Sequence, residues 1–165
     1  VRYDFEGLQA VLEYRTRLNG LKLPGTLIIG GDVYFQGKRL NDVTGVAPAR
    51  TDGTISDPQF QGQARFRYRT DSWGFSTFVN YTGQQLTSRF NRGPNPNDTR
   101  EFDKYKDFIT VDANIFFDVT DRFTLSLTAT NLTDRISQRY YGYYIPGVVN
   151  DAFGRRFAIT AAVKY

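Results

Sequence analysis

Seven stretches of this sequence alternate apolar and polar residues with a period of two, and that pattern limits the chain to strands with one apolar and one polar face. The segment "RRFAITAAVKY" shows the pattern plainly. Phe157, Ile159, Ala161, Val163 and Tyr165 fall on one side, and Arg156, Thr160 and Lys164 on the other; only Ala158 and Ala162 blur it. Six earlier segments repeat the design: "GLQAVLEYRTRL", "LIIGGDVYFQ", "FQGQARFRYR", "GFSTFVNYT", "DFITVDANIFFDV" and "FTLSLTAT". The third is the clearest, setting Gly62, Ala64, Phe66 and Tyr68 against Gln61, Gln63, Arg65, Arg67 and Arg69.

Periodicity does not say which face is inside. A soluble β-barrel hides its apolar face, whereas a membrane barrel turns it outward to lipid. Connection lengths arbitrate. Strands one and two are joined by "NGLKLPG", three and four by "TDSWG", and five and six by "TDR". The other three connections, around 37–59, 83–106 and 133–154, are long and rich in Asn, Asp, Gly, Pro and Arg. Tight turns alternating with long loops are the signature of a transmembrane β-barrel, with the turns on the periplasmic side and the loops outside. The last strand then runs down to the periplasmic rim. Tyr165, with Tyr14, Phe75 and Phe123, is expected in an aromatic girdle at the lipid–water boundary, and Trp73 either joins it or caps its turn.

Composition narrows the functions. No apolar run approaches the roughly 18 residues of a spanning helix, so any membrane reading rests on strands. With no Cys and no His the usual metal ligands and general bases are missing, and no cofactor is implied. Phosphate-loop and nucleophile-elbow motifs are absent from the sequence as well. The polar-face carboxylates Glu13, Asp32, Asp112 and Asp118 sit on separate strands or without a nucleophile, so the expectation is not an enzyme. A net charge of +4 and a pI near 9.4 do not make a nucleic-acid binder, because no reader motif accompanies them. The first residue is Val1 and Met is absent throughout, so the expectation is a piece of a longer protein.

A terminal aromatic after an alternating strand resembles the C-terminal signal by which bacterial outer-membrane barrels are recognised for assembly, which here falls on Phe157 and Tyr165. A more specific likeness lies in "FTLSLTATNLTDRISQRYY" followed by "GRRFAITAAVKY". It resembles the end of TonB-dependent receptors, in which an Asn-Leu-x-Asp-[Lys/Arg] motif leaves the penultimate strand and Gly-Arg opens the closing one. Those positions are Asn131, Leu132, Asp134, Arg135, Gly154 and Arg155. The likeness is strong over 107–165; over 1–106 only the barrel pattern matches. On residue grounds alone "NLTDR" is an ordinary strand exit, with a bulge at Leu132 that resets the alternation.

The resemblance implies an all-β fold: residues 1–165 are the C-terminal part of a 22-stranded antiparallel transmembrane barrel, about seven strands of it, with the plug domain and earlier strands outside this sequence. It implies active uptake of a scarce nutrient, a ferric siderophore or a glycan, across the bacterial outer membrane. The implied partners are the rest of the barrel, the plug, the TonB–ExbB–ExbD complex acting through the plug's TonB box, and outer-membrane lipid with lipopolysaccharide. Arg15, Arg17, Arg65, Arg67 and Arg69 gather at the periplasmic end of the polar face, where they either meet the plug through bidentate carboxylate pairs or line a wall balanced by nearby Glu and Asp. In the last outer loop, Arg139, Tyr140, Tyr141, Tyr143 and Tyr144 either stack on a sugar or catecholate ligand or form an outer girdle. Two other readings remain: a small stand-alone outer-membrane barrel, structural or adhesive, for which "VRYDF" has to supply an eighth strand, and a soluble ligand-binding β-barrel.

Overall fold

The computed structural model describes residues 2–42, 49–55, 57–86, 104–137, 139–140, 143–144 and 151–164. In chain order the strands are β1 (Arg2–Arg17), β2 (Thr26–Asp42), β3 (Ala49–Arg50), β4 (Phe60–Arg69), β5 (Trp73–Thr82), β6 (Gln85–Leu86), β7 (Lys104–Tyr105), β8 (Phe108–Thr120), β9 (Phe123–Thr130), β10 (Arg139–Tyr140), β11 (Tyr143–Tyr144) and β12 (Arg156–Val163). Seven of them form one antiparallel sheet in the order β1-β2-β4-β5-β8-β9-β12, with β3 paired to the outer end of β2. Every neighbour in that sheet is also the next long strand in sequence, a plain meander. No pairing joins β1 to β12 among the described residues, so the sheet is open. The one helical element there is a single 3-10 turn, Leu18–Leu21.

Cross-strand partners share a face, so the register tests the expected faces directly. Reading across from β1, Tyr14 pairs with Ile29, Ile29 with Phe66, Phe66 with Thr77 and Thr77 with Ala113. One row further, Leu12, Gly31, Ala64, Val79 and Val111 align. At the other edge Phe157, Ile159, Ala161 and Val163 lie opposite Ala129, Leu127, Leu125 and Phe123. The intervening rows carry Glu13, Arg15, Arg17, Asp32, Gln63, Arg65, Asn80, Asp112, Asn114 and Thr128. All seven stretches therefore present most of their apolar residues to one side, with Val11, Ile28, Phe78 and Phe116 on the other.

Among the described residues no element packs on that side. Among the described residues only Tyr105, Phe108 and Ala129 are buried hydrophobics, while Leu12, Ile29, Val33, Leu127 and Ile159 are all exposed. A single-layer sheet with a bare apolar face this broad has no core of its own and needs apolar surroundings. The exception on that face is consistent with this. Thr77 donates its hydroxyl to the Asp112 carbonyl at 2.8 Å, leaving no free polar hydrogen there.

Several details differ from the sequence expectation. The first strand starts at Arg2, so Arg2–Phe5 continue β1 and supply no eighth strand. Their alternation is hidden by charge, and the register shifts between Glu6 and Gly7. Beyond that bulge Asp4 binds Arg2 at 2.9 Å and Lys38 at 3.7 Å. The second strand likewise runs on to Asp42, which shortens the first long connection to 43–59. Leu18 belongs to the turn and not to β1. Trp73 is the first residue of β5, on the apolar face opposite Phe117, its ring 5.3 Å from Tyr68 in an edge-on contact. Tyr68 in turn donates its hydroxyl to the Pro24 carbonyl. Trp73 thus belongs with Phe75 in the ring of aromatics near the short turns. The bulge expected at Leu132 is absent: β9 ends at Thr130, and Asn131 adopts a left-handed backbone with φ 54°.

Candidate functional site

The polar face carries one connected hydrogen-bond system, and its hub is Asn131. Only 1% exposed, Asn131 sits where the chain leaves β9. Its backbone N–H donates to Asp112 Oδ1 at 2.8 Å, and its side-chain amide donates to the Arg135 carbonyl at 2.7 Å and to Asp151 Oδ2 at 3.2 Å. Its side-chain oxygen accepts from the Arg135 N–H at 3.1 Å and the Thr133 hydroxyl at 2.9 Å. All the capacity of the amide is used. The left-handed backbone is one that Asn tolerates better than other side chains, which explains Asn at the strand exit.

The remaining motif residues complete the turn. The Leu132 N–H donates to the Val111 carbonyl at 2.7 Å, and the Asp134 N–H to the Asn131 carbonyl at 2.9 Å. Asp134 accepts the Arg155 N–H at 2.9 Å, and the two side chains approach to 3.9 Å. Between them Gly154 has φ 75°, and a Cβ there would lie 2.9 Å from Asp134 Oδ1, so only Gly fits. Arg135 reaches the Asp107 carbonyl at 3.2 Å. The six motif positions, separated by about twenty residues of chain, thus meet in one place.

Sequence reasoning missed the residue that ties this turn to the last strand. Asp151 accepts the Phe153 N–H at 2.7 Å and a bidentate pair from Arg156 at 3.0 and 2.9 Å, besides the amide of Asn131. Burial alone raises its pKa, but the donors from Phe153, Arg156 and Asn131 outweigh burial and hold the carboxyl below the ordinary aspartate range. An Asp in a long polar loop carries no local signal of this role. From Asp112 the system continues across the sheet: Asn80 donates to Asp112 Oδ2 at 2.9 Å, and Gln63 donates to Asn80 at 2.8 Å. A cavity of about 130 Å³ opens beside it, lined by Asn80, Thr110, Asp112, Thr130, Asn131 and Asp151.

The five arginines lie together at the short-turn end of the same face. Arg17 and Arg69 flank Thr26, and Arg15 and Arg67 flank Ile28, so each pair spans one intervening strand, about 10 Å. Arg65 lies across side-chain-free Gly30, its Nε buried without a hydrogen-bond partner and its terminal nitrogen 3.9 Å from Asp32. Arg69 stacks over Phe116 at 5.1 Å. Among the described residues no carboxylate lies within ion-pairing distance of Arg15, Arg17, Arg67 or Arg69.

At the opposite end two long connections are tied together. Arg50 binds the buried Asp52 at 3.1 and 2.9 Å, Asp52 also accepts the Arg39 N–H at 3.1 Å, and the Arg39 guanidinium pairs with Asp57. The Leu86 N–H, next to the β6–β7 ladder, donates to the Gly53 carbonyl at 2.7 Å. In the last connection the backbone of Arg139 pairs with Tyr144 and that of Tyr140 with Tyr143. The side chains of those four residues, and Tyr141 altogether, lie outside the described residues, as does Tyr165. Phe157 stands on the apolar face opposite Ala129. No cluster of three or more potential metal ligands occurs among the described residues.

Neither the known protein-family models nor the curated proteins contain a match to this sequence. Among solved structures, the chain resembles the ferric enterobactin receptor of Pseudomonas aeruginosa, crystallised as a mutant, with a TM-score of 0.61 and 12% identity. The likeness covers 98% of this chain and 22% of that receptor. At this identity the fold is what the two share: this sheet has the fold of a segment of a receptor β-barrel.

The Asp151 clasp generates a pH prediction. A carboxyl whose native pKa is depressed stabilises the fold fully above its unfolded value, about 4, and that contribution is lost as pH falls through the lowered native value. Replacing Asp151 with Ala should cost about 1–3 kcal/mol, the range for a buried partner removed from its donors. The wild type should also lose stability on acidification below about pH 4 more steeply than Asp151→Ala does. Denaturant titration of the detergent-solubilised protein at pH 7 and pH 3 measures both.

Proposed function

We propose that this chain forms the C-terminal wall and outer loops of a TonB-dependent outer-membrane receptor, an active importer of a scarce nutrient such as a ferric siderophore or a glycan. The observation that carries the reading is the seven-stranded meander with one wholly apolar face, whose fold matches a receptor barrel along almost its whole length. The apolar face would meet lipid and the polar face the barrel interior. The role is binding and passage: Asp112 accepts from Asn131 and Asn80, and Asp151 from Phe153, Arg156 and Asn131, so both carboxylates serve as ties within the wall.

The arginine group supports the contact with an inner plug over the self-balanced wall. Four of the five guanidiniums have no carboxylate partner among the described residues, and their spacing suits an acidic surface seated across β1, β2 and β4. The outer connections, cross-tied by Arg39, Arg50, Asp52 and Asp57, would present the ligand surface above. Force delivered by the TonB–ExbB–ExbD complex would shift the plug and open the path.

The experiment is ligand-limited uptake. Cells making the complete protein should accumulate a ferric siderophore or a glycan only while the inner-membrane proton gradient is intact, and the protein should be extracted from the envelope only with detergent. Recovery in an aqueous extract would overturn the membrane assignment. Two further outcomes follow from the faces. Arg in place of Ile159 should cost about 2–4 kcal/mol and Arg in place of Thr160 much less, read as the heat-modifiable gel mobility of folded protein. Replacing Arg65, Arg67 and Arg69 together with Ala should raise the passive conductance of the reconstituted receptor, because the plug would lose its charged seat.

A further inference from the structure

Three of the six strand pairs in the sheet, β1–β2, β4–β5 and β8–β9, are joined by turns short enough to set their register. The β9–β12 pair is joined by residues 131–155 and spans only eight residues. Its side-chain pattern does not fix the alignment. Sliding β12 by two residues would place Ile159 opposite Ala129 and Ala161 opposite Leu127 in one direction, or Ile159 opposite Leu125 and Phe157 opposite Leu127 in the other. Both keep apolar against apolar. On the polar face Ala158 meets Thr or Ser in all three alignments, and Ala162 does so in all but the second slip, where it falls opposite Arg122.

We propose that Asp134 and Asp151 form a register lock for the last strand. Asp134 holds the backbone of Arg155, and Asp151 joins Arg156 to Asn131, so both residues that enter β12 are referenced to the fixed exit of β9. The exit is itself referenced to β8 through Asp112 and the Val111 carbonyl. A two-residue slip moves β12 by about 6.6 Å, which separates the Arg155 N–H from Asp134 and leaves Asp151 unable to hold both Asn131 and Arg156, contacts that span 2.9–3.2 Å. A two-residue slip therefore keeps the apolar residues on the same face but loses these ties to the exit of β9. The inference rests on the pairing geometry and stands whether or not the protein transports a nutrient.

Residues 1–165 contain no cysteine, so within them an engineered pair is the only one that can oxidise. In the native alignment Ser126 faces Thr160 and Thr128 faces Ala158. The pair S126C/T160C should oxidise readily, because directly opposed strand residues lie within disulfide range, whereas T128C/T160C, a diagonal pair, should remain reduced. T124C/T160C is the matching probe for the opposite slip. Each pair is introduced into the complete protein and scored in envelope fractions. Combined with Asp134→Ala and Asp151→Ala, one slipped pair should rise from background to a level comparable with the native pair. Asp134→Asn keeps an oxygen acceptor for Arg155 and should retain native cross-linking. Native-only cross-links in assembled double-variant protein would overturn the lock and leave the two aspartates as general stabilisers. Should the double variant fail to reach the envelope, the single variants decide by the same ratio of slipped to native cross-link, an unchanged ratio overturning the proposal.

Discussion

Everything in this molecule depends on the absence of a second layer over its sheet. A β-sheet in water hides one face against another element, and this one leaves an apolar face open across seven strands. Between the edge strands β1 and β12 the backbone donors and acceptors are consumed by the ladders, so the face offers its surroundings mainly hydrocarbon and aromatic surface. That surface is stable where water is excluded. The strand lengths agree with this: β4, β5, β9 and β12 have 8–10 residues, close to what tilted strands need to cross a bilayer, and the longer β1 and β2 turn ionic once past the Glu6–Gly7 bulge.

With hydrophobic burial assigned to the outside, the polar face takes over the work of specifying geometry. Gln63, Asn80, Asp112, Asn131, Asp151 and Arg156 form a chain of contacts that crosses from β4 to β12. Asn80 and Asn131 each act as donor and acceptor at once, so adjacent strands are coupled through side chains as well as backbone. The charges that do not enter it are sorted by height. Arginines without carboxylates collect at the short-turn end, and Arg–Asp clasps collect at the long-loop end. That separation makes the two ends chemically different: guanidiniums without a carboxylate among the described residues at one, and Arg–Asp ties within the protein's own loops at the other.

The sequence made the faces legible because a two-residue period survives single exceptions. Phe78 and Phe116 on the polar face, and Thr77 on the apolar face, did not obscure it. Short turns were legible for the same reason, since the alternation stops and resumes around "TDR" and "LPG". The outer ends of β1 and β2 were not, because "RYDFEG" and "KRLND" mix charge with apolar residues and contain a register shift. Within the site, Asn131, Asp134 and Gly154 could be recognised as a turn and a glycine position. What they hold could not be. Asp112 and Asp151 lie 19 and 20 residues from Asn131 in sequence, and no local pattern encodes a hydrogen bond across that separation.

A meander alternating short and long connections faces two different alignment problems, and the carboxylates are distributed accordingly. Across β1–β2, β4–β5 and β8–β9 the turn itself limits the alignment, with Asp4 above the bulge of β1 and Asp112 at the exit of β9 as added ties near the far ends. Each pair joined by a long connection has an aspartate bridging it. Asp57 and Asp52 bind Arg39 where the chain returns from β2 to β4, Asp112 binds Asn80 between β5 and β8, and Asp134 and Asp151 hold the entry to β12. The long connections can therefore vary in length without moving the strands they join, because the side chains at their feet carry the alignment. In the proposed receptor wall, this would separate loops that meet a ligand from strands that must stay in register.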